Sequence, residues 1–293
     1  MSRGRAAEAG LIFNVIVWGA TFVLVKTALL DVSPLLFIAL RFTLATAALL
    51  AVFRGAAMPW RHWKTAGAGA LAGAFLFSGY AFQTMGLRLT TAPRSAFITG
   101  LTSVAVPLLA AAVYRVKPRV SEVMGVLIAT AGLALMTLPG VLGPMGLGDL
   151  LTVCCAAGFA AHIVTLSHFR EKMSFELLAV SQIAVSAVLG WTLFAWVETP
   201  RVTWRPAVVW AILITGLLAT ALAFSIMAWA QRYTSAARTA LIFMLEPVVA
   251  WFTSYAMVGE GLTGRAAAGA ALILGGVAMA ELKPFHPRPH QSQ

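Results

Sequence analysis

Charge is what this sequence has least of. Only 11% of its 293 residues are Asp, Glu, Lys or Arg, against 60% hydrophobic, which is too little polar material to clothe a soluble protein of this size. Cysteine is nearly absent as well: Cys154 and Cys155 are adjacent inside an apolar run, where neither a disulfide framework nor a cysteine-based zinc site has its spacing. They read as small packing residues. Also missing are a GxxxxGK[ST] phosphate loop, an HExxH zinc pair and a GxSxG nucleophile elbow, the marks of ATP use and of common hydrolases. His162 and His168 stand six apart and would not share a helix face. No enzymatic activity, cofactor or metal is therefore expected.

What is present is a series of apolar runs of about 18–24 residues, the length a helix needs to cross a bilayer's hydrocarbon core. They fall near 11–29, 34–53, 65–87, 91–114, 120–138, 149–168, 176–197, 207–230, 236–257 and 264–282, which predicts an all-α integral membrane protein of ten helices. Loop chemistry separates them, as in DVSP (Asp31–Pro34), LPGVLGPMGLGD (Leu138–Asp149) and ETPRVTWRP (Glu198–Pro206). The N-terminal MSRGRAAEAG is basic and no Ala-x-Ala cleavage site precedes the loop at Asp31, so the first run reads as a retained helix rather than a signal peptide. A net charge of +11 would suggest nucleic acid in a soluble protein, but no basic patch with interleaved aromatics is found. Most Lys and Arg sit instead in short loops. With the N-terminus inside, thirteen of these loop charges are cytoplasmic and four (Arg88, Arg201, Arg205 and Arg265) are outside, so the positive-inside rule predicts that both termini are cytoplasmic.

The chain writes one sentence twice. RLTTAPRSAFI (Arg88–Ile98) returns as RYTSAARTALI (Arg232–Ile242), 144 positions later, and at the same offset Gly125 meets Gly269 and Gly132 meets Gly276. Two five-helix repeats are expected at 1–143 and 144–282, with a cytoplasmic tail at 283–293. Five is odd, so the second repeat inserts upside down relative to the first. Inverted repeats around a central cavity are the plan of many secondary transporters, where near-equivalent rearrangements expose one site to either side.

Polar groups within spans are costly, a central charge by about 2.5–3.5 kcal/mol on insertion scales, so each calls for a partner or a cavity. Asn14, Trp18 and Thr21 share one helix face by their spacing; so do Tyr80 with Gln83, Ser95 with Thr99 and Ser103, and Gly158 with His162 and Thr165. The offset places Trp18 on His162, Tyr80 on Phe224 and Gln83 on Met227. Asn14, Trp18, Tyr80, Gln83, Thr99, His162, Phe224 and Met227 are thus the expected substrate-binding residues of one aromatic, largely apolar cavity. Glu246 lies about ten residues into its span, near the midplane, and precedes Pro247. It is either a proton or ammonium site, or an acid that steadies a proline bend. Lys26, Arg41, Arg94 and Arg238 read as snorkelling anchors near helix ends, and Gly67, Gly69, Gly73 and the Gly269–Gly276 stretch as points of close helix contact.

VWGATFVLVK (Val17–Lys26), FIALRFTLA (Phe37–Ala45) and the stretch Glu246–Ala280 resemble, in that order, the first, second and last two helices of the EamA type of the drug/metabolite transporter superfamily. The resemblance covers nearly the whole chain, and the overall pattern is most similar to bacterial YddG-type amino-acid exporters. It implies a ten-helix exporter of small metabolites, aromatic or other apolar amino acids among them, in the bacterial cytoplasmic membrane. One departure stands out. The family often carries Gly-Glu at the end of both the fourth and the ninth helix, and this chain has it only at Gly259–Glu260, with Tyr114–Arg115 in the first half. The expected function is secondary transport by alternating access, with a small-molecule substrate and the lipid bilayer as partners and no nucleic acid. A monomer would suffice, and the oligomeric state stays open. The competing readings are a carrier of the same fold for nucleosides or sugars, an intramembrane enzyme acting on lipid, and a non-transporting assembly partner.

Overall fold

The computed structural model describes residues 3–54, 63–90, 92–115, 119–137, 144–258 and 263–281. The expected tail at 283–293 and the Gly259–Glu260 pair lie outside the described residues, as do the side chains of Lys26 and Arg94. The first half consists of α1 (Arg3–Ala28), α2 (Pro34–Val52), α3 (Trp63–Leu89), α4 (Ala92–Gly100), α5 (Thr102–Tyr114) and α6 (Val120–Thr137). The second consists of α7 (Leu147–Phe169), α8 (Phe175–Val197), α9 (Pro206–Gly216), a π-helical turn (Leu217–Leu222), α10 (Ala223–Ala230), α11 (Ala236–Phe243), α12 (Glu246–Val258) and α13 (Gly264–Glu281). Among the described residues, six helical stretches are long and apolar enough to span a membrane, and two shorter ones, Val120–Met136 and Gly264–Met279, are equally apolar in character. With α1 and α3 added and each interrupted helix counted as one pass, the chain crosses ten times.

Local chemistry sets the helix starts. Pro34 opens α2, where its missing N–H would have had no intrahelical partner. Glu198 Oε1 accepts from the next two orphan donors, Leu35 N and Leu36 N, both at 3.0 Å. Ser174 caps α8 by accepting from Leu177 N at 3.2 Å, and Ser235 caps α11 by accepting from Arg238 N at 3.1 Å.

The 144-residue offset is also visible in three dimensions. Helices α5 and α12 begin and end at positions related by it, as do α6 and α13. Where α6 crosses α13, a Cβ on Gly132 would stand 2.5 Å from Gly269 O, and one on Gly276 would stand 2.5 Å from Gly125 O. Exchanging each residue with its counterpart turns one contact into the other, which is the signature of a twofold axis. Tyr80 and Phe224 are counterparts too, and their ring centroids are 6.3 Å apart, so the axis runs between them. With five passes per half it lies in the membrane plane, and the halves are inverted.

Three runs that hydropathy shows as continuous are interrupted. Helix α4 stops before Leu101 and α11 before Met244–Leu245, matching positions in the two halves. The π-helical turn after α9 has no counterpart, since α3 runs unbroken through the equivalent residues. A π turn frees carbonyls from the helical ladder, and here Ala219 O accepts both Trp18 Nε1 at 2.8 Å and Arg41 Nη2 at 3.2 Å. Apolar periodicity carries no record of such changes in backbone bonding. Of the glycines expected at contacts, Gly69 and Gly73 do abut Ser181 and Gln182 on α8, whereas Gly67 faces open space.

The two ends of the bundle differ. At the end where α1 begins, Arg238 Nη1 pairs with Glu8 Oε1 at 3.1 Å. Arg170 donates there to Gln231 O and Thr234 O at 3.0 and 2.9 Å, and Arg232 to Met173 O at 2.6 Å. Arg238 is therefore an internal cross-link between α11 and α1 rather than a lipid-facing anchor. At the opposite end, the turn after α1 meets the α8–α9 connection through a Val32–Val202 bridge and an Asp31–Arg205 pair at 3.5 Å.

Candidate functional site

A cavity of about 220 Å³ lies between the halves, walled by α1, α2, α3, α4, α5, α7, α10, α11 and α12. It is smaller than the roughly 300–1,000 Å³ typical of drug-sized ligand sites, which favours small solutes. Along the first span its wall runs from Trp18 to Leu29, about 16 Å at 1.5 Å per residue, toward the end carrying the Asp31 turn. Its floor is aromatic. Trp18 packs on Phe243 and Phe224 with centroids 4.9 and 5.5 Å apart, Tyr80 on Phe159 at 5.2 Å, and His162 on Phe224 at 5.7 Å. Below the floor, Leu11, Ala230, Gln231 and Thr234 are completely buried, so the cavity is shut off from the end where α1 begins.

Of the residues expected to bind substrate, Trp18, Tyr80, Gln83, Thr99, His162, Phe224 and Met227 all line this cavity. Trp18 has its indole N–H committed to Ala219 O, which orients the ring. His162 Nε2 is 2.6 Å from Gln182 Oε1, a bond to α8 that fixes the imidazole plane. Thr99 Oγ1 lies 3.9 Å from Cys155 Sγ. Asn14 is placed elsewhere: it is fully buried, donates from Nδ2 to Ala223 O at 2.7 Å, and joins α1 to α10 outside the cavity wall. Helical spacing gave Asn14 and Trp18 one face but could not tell that α10 covers its lower part.

Glu246 also lines the cavity, with a correction to its setting. It is the first residue of α12 rather than a mid-helix acid, so Pro247 occupies a first-turn position where its missing N–H costs no helical bond. The break at Met244–Leu245 brings this helix start to mid-bundle, and the proline-bend role does not apply. Its counterpart across the axis is Thr102, the first residue of α5.

Arg41 is the largest surprise. It is the eighth residue of α2, about 10 Å from the helix start, is 5% exposed, and lines the cavity. A snorkelling anchor would reach the bilayer surface; this guanidinium bonds Thr220, Tyr80 and Ala219 inside the bundle. Phe243 was missed too, although the offset that pairs it with Thr99 could have found it. No such signal existed for Arg41, whose counterpart is Val185.

Ten passes in two inverted halves, closed on one side of a central cavity, define a membrane transporter. The sequence profile of the EamA-like transporter family matches residues 6–138 and again residues 146–282, and the chain belongs to that family. It is 34% identical over 277 residues to an "uncharacterized transporter" of Archaeoglobus fulgidus, covering 94% of this chain and 86% of that protein. It is 22% identical to the "uncharacterized transporter YoaV" of Bacillus subtilis over 92% of this chain and 94% of that one. A solved crystal structure, described only as that of a protein, matches with a TM-score of 0.80 over 94% of this chain and 98% of its own at 21% identity, which shows a common fold.

Proposed function

We propose that this protein is a secondary carrier of the YddG-like kind, exporting amino acids with aromatic or other apolar side chains, or closely related metabolites, by alternating access. The observation that carries this reading is the cavity itself. It lies between inverted halves, has an aromatic floor of Trp18, Tyr80, Phe224 and Phe243, and offers Gln83, Thr99 and His162 as hydrogen-bonding groups. Bare ions call for rings of carbonyls or charges, whereas these walls suit the body of a small organic molecule. The loop charges favour cytoplasmic termini in a bacterial cytoplasmic membrane. In that orientation the closed end faces the cytoplasm and the cavity extends toward the outside.

Purified protein in liposomes loaded with unlabelled solute tests the reading. Labelled phenylalanine, leucine, uridine and glucose are offered outside, and counterflow is followed. Accumulation of the amino acids is the expected result. Accumulation of uridine or glucose alone would overturn the substrate class, and no counterflow with any solute would overturn the carrier.

A further inference from the structure

Two ionisable side chains in the cavity wall have no counter-ion among the described residues. Arg41 Nε donates to Thr220 Oγ1 at 2.6 Å, and Nη2 donates to Tyr80 Oη at 3.3 Å and Ala219 O at 3.2 Å. The guanidinium carbon also stands 4.8 Å from the centre of the Tyr80 ring. These contacts pin the group in place, yet every acceptor among them is uncharged. Among the described residues no carboxylate pairs with Arg41, and Nη1, with two N–H donors, has no partner where the side chain borders the cavity. Glu246 is the complementary case. It lines the same cavity at the start of α12, where aligned peptide dipoles suit a negative charge. No described side chain pairs with it.

Neither charge is required by the repeat, whose counterpart positions hold Val185 and Thr102. Buried charges without a counter-ion are costly, and inside a membrane they are kept where they line a pathway or bind a solute. A guanidinium and a carboxyl group lining a single small cavity are complemented by a solute that carries one anionic and one cationic group. We infer that Arg41 and Glu246 are the two charge anchors for a zwitterion: Arg41 takes the carboxylate through Nη1, and Glu246 takes the ammonium group. The inference rests on the carrier reading of this cavity and deepens it by naming the specificity-determining residues. The solute's apolar side chain then lies against Trp18, Phe224 and Phe243. Arginine suits the first role better than lysine would, because its planar guanidinium can hold Thr220, Tyr80 and Ala219 through Nε and Nη2 while keeping Nη1 as a fixed, always charged donor to a carboxylate oxygen.

The test uses L-phenylalanine, phenethylamine and hydrocinnamate, which share one apolar body and differ in charge. Binding to the full-length protein in detergent is measured by calorimetry. Wild type should bind phenylalanine at least tenfold more tightly than either singly charged analogue. Arg41→Gln should bring phenylalanine and phenethylamine to within about twofold of each other while hydrocinnamate stays weak. Glu246→Gln should bring phenylalanine and hydrocinnamate together while phenethylamine stays weak. Arg41→Lys, which retains the charge, should keep part of the carboxylate preference, and it substitutes for Arg41→Gln if that variant does not elute as a folded species. Equal wild-type affinity for the three compounds, no binding of any of them, or unchanged ratios in both variants would each overturn the inference. Phenylalanine counterflow in liposomes separates the two claims. Flux with unchanged ratios removes the anchors and keeps the carrier, whereas charge-selective binding without flux removes the carrier and keeps the anchors.

Discussion

The Glu8–Arg238 pair should act as a latch on the closed end. Removing one partner of a buried ion pair costs about 3–5 kcal/mol, because the other charge loses its counter-ion. The Arg238 side chain is 7% exposed, but that of Glu8 is 20% exposed, and access of water to one partner argues for roughly half that cost. Glu8→Gln should then shift the closed end toward opening by about 1.5–2.5 kcal/mol, or about 10- to 70-fold in the equilibrium. Ala240 reports on it, being fully buried, in the cavity wall and on the same helix as Arg238. In a background with Cys154 and Cys155 changed to Ala, Ala240→Cys is labelled with an impermeant maleimide applied from the side of the termini. The labelling rate should rise by the same 10- to 70-fold in Glu8→Gln. It should fall most of the way back in Glu8→Gln with Arg238→Gln, where the buried guanidinium is removed together with its carboxylate. An unchanged rate in the single variant, or a faster rate still in the double, would refute the latch.

Three further outcomes are expected. Gly276→Val drives a side chain into Gly125 O and Ala129 N, 2.5 and 2.8 Å from the Cβ position, so it should lower stability in detergent by about 1–3 kcal/mol or more, whereas Gly275→Val, with nothing within 4 Å, should stay within about 0.5 kcal/mol. Equal melting temperatures for the two would remove the close helix crossing. Trp18→Phe should lose about 1 kcal/mol of unfolding free energy with the Ala219 bond, and Trp18→Ala about 3–5 kcal/mol as its contacts with Phe224 and Phe243 vanish; comparable losses would mean that the ring does not pack on the floor. For orientation, Thr203→Cys and Lys172→Cys lie on exposed connections at opposite ends of the bundle. An impermeant thiol reagent added to intact cells should label the first and spare the second; the reverse pattern would invert the assigned topology.

What the sequence made legible followed from quantities that are periodic or summed. The ten passes are legible because apolar run length is set by bilayer thickness, and the twofold relation because the offset between Arg88 and Arg232 persists as far as α6 and α13. Seven expected binding residues meet in one cavity because a helix face plus the offset constrains two coordinates at once. Asn14 fell outside because a face says nothing of which neighbour covers it. The breaks at Leu101 and Met244–Leu245 were hidden since the stretches that contain them, Phe97–Tyr114 and Ala236–Thr253, stay apolar enough on average to read as single spans, and with them the setting of Glu246. Arg41 was misread for a different reason: a cation in a span has two physical solutions, snorkelling to the surface or pinning inside, and only the position of Thr220 and Ala219 on the π turn decides between them.

That π turn has a thermodynamic consequence. If the halves were identical, the form open to one side and the form open to the other would interconvert by exchanging labels, and the two would be degenerate in free energy. The π turn at Leu217–Leu222 lifts the degeneracy, since Trp18 and Arg41 both donate to the freed carbonyl of Ala219 in the second half while the equivalent stretch of α3 is regular helix. Two net hydrogen bonds present in one form and absent in the other, at about 1 kcal/mol each, would tilt the resting populations by about 30-fold. For a transporter that works by alternating access, the preferred resting orientation is then tuned by one π turn in one helix, with no change to the repeat architecture.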